Sequence, residues 1–354
     1  MSDIKVNKIK SLNGTNGPEI SGIVEMNSTG AMTLPRGNTA YRGGRGRGVF
    51  GGGYDGGSPW VTINTIDYVT IASLGNAHDF GDLSEKRSAK GGGSSATRGC
   101  FIAGRFPSAP SIQNVIDYIE IQSTGNAMDF GDLIHSGIPN QKGTSNQIRS
   151  VYGGGYINPG SNLHVNSIGY FTIATKGNSS DFGSFALFGR KQFSGSNGTR
   201  GIFAGNRGAN PGSPGVNTNN IEYVTLMSIG NAQDFGDLSE IRIQSNGSMT
   251  SSTRMVMQGG INPSAVSTMD YITMASTGDA IDFGDVSTTV REISSSTSSP
   301  TRGVFNTGSE GGGTTNNAIE YVTISTLGNS QDFGDLTSAR GVAGSVSDSH
   351  GGIV

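Results

Sequence analysis

The sequence is short of cysteine, histidine, tryptophan and charge. A single cysteine, Cys100, cannot form an internal disulfide, and four histidines (His78, His135, His164 and His350) stand without metal-ligand spacing. Neither a metal nor a cofactor is expected. Charged residues make up 14% of the chain, and 24 Lys and Arg against 27 Asp and Glu leave a net charge of −3. A broad basic surface is therefore missing, and with it the usual footprint for nucleic acid or an anionic membrane. No stretch approaches the roughly 18 apolar residues of a membrane span, and the opening MSDIKVNKIK has no apolar signal-peptide core. The expectation is a chain made soluble in a cytoplasm, with its final location left open.

Glycine, by contrast, is abundant: 58 of 354 residues, beside 33% hydrophobic residues. That is apolar-poor for a helical enzyme and too weakly charged for a disordered chain, so an all-β protein rich in turns is predicted. One stretch returns six times: GNAHDFGDL at 75, GNAMDFGDL at 125, GNSSDFGSF at 177, GNAQDFGDL at 230, GDAIDFGDV at 278 and GNSQDFGDL at 328. Spacing of 48 to 53 residues between copies matches the kelch range, one four-stranded propeller blade per repeat.

Each unit opens with a small Gly/Ser-rich strand, such as SAKGGGSS (88 to 95), and a Thr-Arg-Gly turn leads into a second, such as GCFIAG (99 to 104). A loop of variable length precedes the strongest strand signal, IDYVTI at 66 and its counterparts at 116, 168, 221, 269 and 319. A short fourth strand ends at Asp-Phe-Gly, where Phe80 and its equivalents serve as wedges between blades and the glycine permits a tight bend. A catalytic motif is not needed six times, so the motif reads as architecture. Asp79/Asp82 and the matching pairs could take calcium by spacing alone, but the third unit breaks the pair with Ser184, and turn caps are the preferred reading. A kinase reading fails for want of a phosphate loop and a catalytic loop.

The ends suggest a further unit. SARGVAGSVSDSHGGIV (338 to 354) reads as strands one and two, with His350 in the place of Arg302, while IVEMNSTGAMTLP (23 to 35) can be laid on strands three and four. Joining them would close the ring and leave no open blade edge. The sequence thus predicts a seven-bladed kelch-like β-propeller over residues 20–354, its last blade shared between 20–36 and 338–354. Residues 1–19 form a lead-in, and six blades is the alternative.

Arginine introduces strand two in six units: Arg47, Arg98, Arg149, Arg200, Arg254 and Arg302. A structural bond to the adjoining blade is favoured for this ring, with docking of an acidic sugar or partner as the functional reading. YRGGRGRG (41 to 48) resembles an RNA-binding tract but runs into Val49-Phe50 in register with the other second strands. Cys100 is expected to be a small buried hydrophobe. Recognition should sit where repeats differ, in the loops from strand two to strand three. These loops and the positions bordering them hold the candidate ligand residues Tyr54, Trp60, Arg105, Phe106, Tyr156, His164 and Arg207. Aromatic rings beside amide and hydroxyl donors suit a sugar, although Gly/Pro/Asn-rich loops are also what turns need.

The units look like kelch-type propellers and, more closely, resemble the GNAxDFGDL repeat proteins among structural proteins of tailed bacteriophages of marine bacteria, cyanophages in particular. The segment GPEISGIVEMNSTGAMTLPRGNTAYRG (17 to 43) is similar to lead-in segments of phage tail-fibre proteins. The resemblance implies a virion structural protein of a tail, fibre or decoration assembly, built in the host cytoplasm. Its partners would be other virion proteins or a host-surface glycan. A polysaccharide-acting enzyme is the alternative, with Asp55, Glu310 and His164 as the only titratable loop candidates, in different blades. An intracellular adaptor lacks any supporting recruitment segment.

Overall fold

The computed structural model describes residues 25–26, 32–33, 46–56, 61–88, 91–105, 114–134, 142–157, 163–208, 216–243, 247–290, 295–308 and 315–353. Six antiparallel four-stranded sheets form six blades, with strands numbered outward from the axis. Blade two runs Gly91–Ser94, Arg98–Ile102, Val115–Glu120 and Met128–Asp132. Blade three runs Lys142–Ser145, Arg149–Gly153, Ser167–Thr172 and Ser180–Ser184. Blade four uses Arg190–Ser196, Arg200–Arg207, Thr218–Thr225 and Gln233–Asp237. Blade five uses Ser248–Thr250, Arg254–Gln258, Val266–Thr273 and Ile281–Val290. Blade six has Ser295–Ser298, Arg302–Asn306, Ala318–Thr323 and Gln331–Asp335. No helix among the described residues is long and apolar enough to cross a membrane.

Blade one is composite and corrects the expected count of seven. Its inner strand is the C-terminal Gly344–Ser347, which pairs with Arg47–Tyr54, followed by Thr62–Thr70 and His78–Asp82. Glu25–Met26 pairs with Met32–Thr33, and the rest of residues 20–36, like 1–19, lies outside the described residues. The first unit lacked one strand, and one strand is what the C-terminus supplies. Residues 338–343 form the linker into that strand, and Gly351–Ile353 makes a short 3-10 turn where a second strand was expected. Six blades thereby close with no exposed edge at the seam.

Six buried apolar clusters alternate with the blades, one at each blade junction. The phenylalanine of every Asp-Phe-Gly lies in one: Phe80, Phe130, Phe182, Phe235, Phe283 and Phe333 are each at most 2% exposed. The strand-three tyrosine meets each edge-on, at centroid distances of 5.9–6.2 Å. Burying such a ring stabilises the fold by about 1.5–3 kcal/mol. Cys100 is fully buried in the cluster between blades two and three, and burial pushes its thiol pKa up, which keeps it unreactive.

The remainder of the motif is a hook between blades. The glycine and the third residue of each Gly-Asn-Ala turn donate backbone N–H bonds of 2.7–2.9 Å to the carbonyls of the Phe and of the residue two positions after it in the preceding blade. Between them the Asn or Asp side chain accepts a backbone N–H at 3.0–3.1 Å, as Asn126 does from Asp82. Asn76 takes the bond from Asp335, so the hooks run all the way round. The glycine after Phe is required by this approach: at Gly236, φ is +143° and a Cβ would sit 2.5 Å from the carbonyl oxygen of Gly278.

Candidate functional site

Antiparallel blades give the ring two dissimilar faces. One, the turn face, carries the short connections from strand one to two and from three to four. The other, the loop face, carries the long connections from two to three and the linkers into each inner strand. The arginine ring belongs to the turn face. Each guanidinium lies over the strand-three tyrosine of its own blade, 4.2–4.6 Å from the ring centre. Each also donates from Nη1 to a backbone carbonyl of the next blade: Arg47 to Ile121, Arg98 to Ile173, Arg149 to Leu226, Arg200 to Met274, Arg254 to Ile324 and Arg302 to Ile71. The six cations are half-buried joints of the ring, which matches the structural reading of their recurrence.

The axis is lined by the inner strands, whose small residues let six backbones converge. Hydroxyls bridge strands that do not pair in sheets: Ser94 Oγ donates to the Ser347 carbonyl, Ser145 to Ser94, Ser196 to Ser145, Ser298 to Thr250 and Ser347 to Ser298. The Gly/Ser composition of these strands thus serves both closeness and bonding. The C-terminal segment enters this channel. His350 Nδ1 accepts the Gly352 N–H, so Nε2 carries the proton and points at the Ser94 carbonyl at 3.2 Å. Burial pushes its pKa down to about 4, leaving a neutral imidazole. The free volume, about 80 Å³, is well below the roughly 300–1,000 Å³ of small-molecule pockets, so the channel suits water rather than a sugar.

On the loop face, buried ion pairs hold the loop bases. Arg87–Asp117 (2.9 Å), Arg242–Asp270 (2.7 Å), Arg340–Asp67 and Lys191–Glu222 join the linker before an inner strand, or its first residues, to the acid of strand three. Arg242 Nη1 also bonds the Gly259 and Thr268 carbonyls, which flank the variable loop of blade five. Burial lowers the pKa of Arg242, Arg340 and Lys191, and the carboxylates work against that shift. None of these cations stood out in the sequence, yet a signal was present: DFGDLSEKR, DFGDLSEIR and DFGDLTSAR each place Ser or Thr three residues before the arginine. Those hydroxyls, of Ser84, Ser239 and Thr337, bond the same carboxylates as the arginines.

The candidate ligand residues fall into different environments. Arg105 is exposed and Arg207 half-buried. Tyr54 is buried, its ring against Gly341, and His164 is buried with its ring over Gly208. Tyr156 pairs through its backbone with His164 in a two-stranded hairpin above blade three. Trp60, Phe106 and Glu310 lie outside the described residues. Asp55 caps its own loop, its Oδ1 accepting the Val61 N–H at 3.0 Å. The structure therefore brings Tyr156 and His164 onto one hairpin, with His164 beside the end of the strand that carries Arg207, and leaves Tyr54 and Arg105 in other blades. Among the described residues, no three His, Cys, Asp or Glu side chains come together as metal ligands. The chain matches no protein-family model and no curated protein.

Proposed function

We propose that this chain is a structural component of a tailed-phage virion, in a tail, fibre or decoration assembly. Its propeller presents the loop face to a host-surface glycan or to another virion protein. The observation that carries this orientation is where the chain enters the ring. Gly46 immediately precedes strand two at the turn face, its N–H bonded at 2.9 Å to Asp348, so the lead-in joins the propeller opposite the variable loops. A lead-in anchored in an assembly places the loops outward. The buried ion pairs at the loop bases support the same reading, since a binding surface gains from a scaffold that does not rearrange. Binding rather than catalysis is the proposed role.

Cryo-electron microscopy of intact particles from the phage that encodes the chain tests this. The expected map shows the propeller seated by its turn face or lead-in, with loops toward solvent. Absence of the protein from purified particles, or a loop face turned inward with the turn face free, overturns the reading.

A further inference from the structure

The four buried pairs at the loop bases differ in chemistry. Three use arginine, whose guanidinium stays charged and is no nucleophile, whereas blade four sets an amine, Lys191, against Glu222. Both side chains are almost wholly buried, at 0% and 3% exposure. The Lys191 Nζ also lies 4.5 Å from the centre of the Phe185 ring, which covers one side of it with apolar surface. Burial lowers the Lys191 pKa, and although Glu222 works against that shift, its direction is toward the free amine that a nucleophile requires.

A carboxamide meets the same carboxylate. Asn220 Nδ2 donates to Glu222 Oε2 at 3.2 Å, and Oε2 is also the atom to which Lys191 Nζ donates. Amine and amide therefore converge on one oxygen. Asn220 Oδ1 accepts the Thr218 hydroxyl at 2.5 Å, a donor placed where an adding amine would push negative charge. The corresponding positions of the other blades hold Thr65, Val115, Ser167, Thr268 and Ala318, none of which has a carboxamide. The lysine and the asparagine thus depart from the repeat together, around one acid.

We infer that Lys191 and Asn220 join in an isopeptide bond, formed within the folded chain with Glu222 as proton carrier. Glu222 accepts a proton from the Lys191 ammonium, the free Nζ adds to Asn220 Cγ, and the Cγ–Nδ2 bond breaks. Nζ gives up two protons in all, and Nδ2 leaves with them as ammonium. No oxidant or cofactor takes part. Holding the groups together in a buried site supplies the proximity that an amide otherwise lacks for attack by an amine. The product ties the inner strand of blade four to its third strand at the loop-face end, whatever partner the loop face binds.

The test is mass spectrometry of the full-length protein, held overnight at neutral pH and then unfolded. An intact mass short by one ammonia is expected, with a branched peptide joining Lys191 to Asn220 after digestion. Asn-Gly pairs such as Asn197-Gly198 also lose ammonia, as a succinimide, so the branched peptide decides. Lys191→Arg should abolish the link and Glu222→Gln should abolish or slow it. If thermal melting shows that either does not fold, Asn220→Ala decides, since this half-buried side chain can be lost with the Lys191–Glu222 pair in place. Unlinked peptides in the unsubstituted protein overturn the inference. So does a link undiminished in Glu222→Gln, one that survives in Asn220→Ala, or one that ends at Asn206, the buried amide paired across from Lys191.

Discussion

The second residue of the IDYVTI motif in strand three shows how much one side chain decides. In blades one, two, four and five it is an acid, Asp67, Asp117, Glu222 or Asp270, which binds a buried cation from the linker or the start of the inner strand. In all but blade four the same carboxylate takes a hydroxyl from the tail of the preceding blade, and in blade four it takes the Ala186 N–H instead. Blade six keeps the acid as Glu320, bonded by Ser287 and Ser330. Blade three has Gly169, and the space is taken by the Tyr152 ring, whose hydroxyl meets Ser179 Oγ at 2.5 Å. Ser179 then accepts the N–H of Ile134, the bond a carboxylate accepts elsewhere. Burial pushes the Tyr152 pKa up to about 12, so the hydroxyl stays protonated. Asp270→Asn should strand Arg242 in the interior and cost about 3–5 kcal/mol, read as a lower denaturation midpoint. Replacing the pair by Asp270→Leu with Arg242→Met should recover most of it; an unchanged midpoint in the single variant refutes the pairing. The acid of IDY was visible in the sequence, but its partner was not, because Arg242 reaches it across 28 residues of chain.

Among the elements, the repeated Gly-Asn-Ala…Asp-Phe-Gly-Asp acts as one connector with two halves on adjacent blades. The wedge role of Phe and the need for glycine were legible, since ring size and missing Cβ are properties of the residue. That the Asn is a hook was not, because its partner is the outer strand of the blade before it. Two glycines of the motif separate strain from contact. Gly236 combines φ of +143° with a Gly278 carbonyl oxygen only 2.5 Å from where a Cβ would stand, whereas Gly230, at φ +157°, has nothing within 4 Å. Gly236→Ala should therefore destabilise by about 1–3 kcal/mol more than Gly230→Ala in matched denaturant titrations. Equal losses would mean that backbone strain alone sets the glycine requirement.

For the whole molecule, closure joins the two ends of the sequence. Val346 pairs with Val49, and Asp348 Oδ1 accepts the N–H groups of Gly46 and Arg47. The same segment carries His350 into the channel, coupling closure to proton concentration. His350 in the fold titrates near 4 and in the unfolded chain near its ordinary 6.5, so between these values the unfolded state binds more protons. Stability should be full above about pH 6.5 and fall as pH drops toward 4, with roughly 3 kcal/mol contributed by this residue. Urea midpoints at pH 7.5 and 4.5 check this: the drop should be smaller in His350→Gln, and an equal drop assigns the pH dependence to other groups.

Local pattern was enough for the all-β class, the fifty-residue unit, the four strands within it and the wedge between units. Each of these depends on residues close together in the chain: alternation, β-branching, turn glycines and their recurrence. The blade count came only with the closed ring, because the turn of each blade about the axis sets how many units fill a circle. So did the finding that Gly344–Ser347 contributes one strand, not two, and that His350 lies in the channel instead of at the position of an arginine. Likewise Lys191, Asn220 and Glu222 meet only because the sheet of blade four brings its inner strand within reach of its third. Contacts of that range depend on where the ring brings distant residues, and no local pattern encodes it.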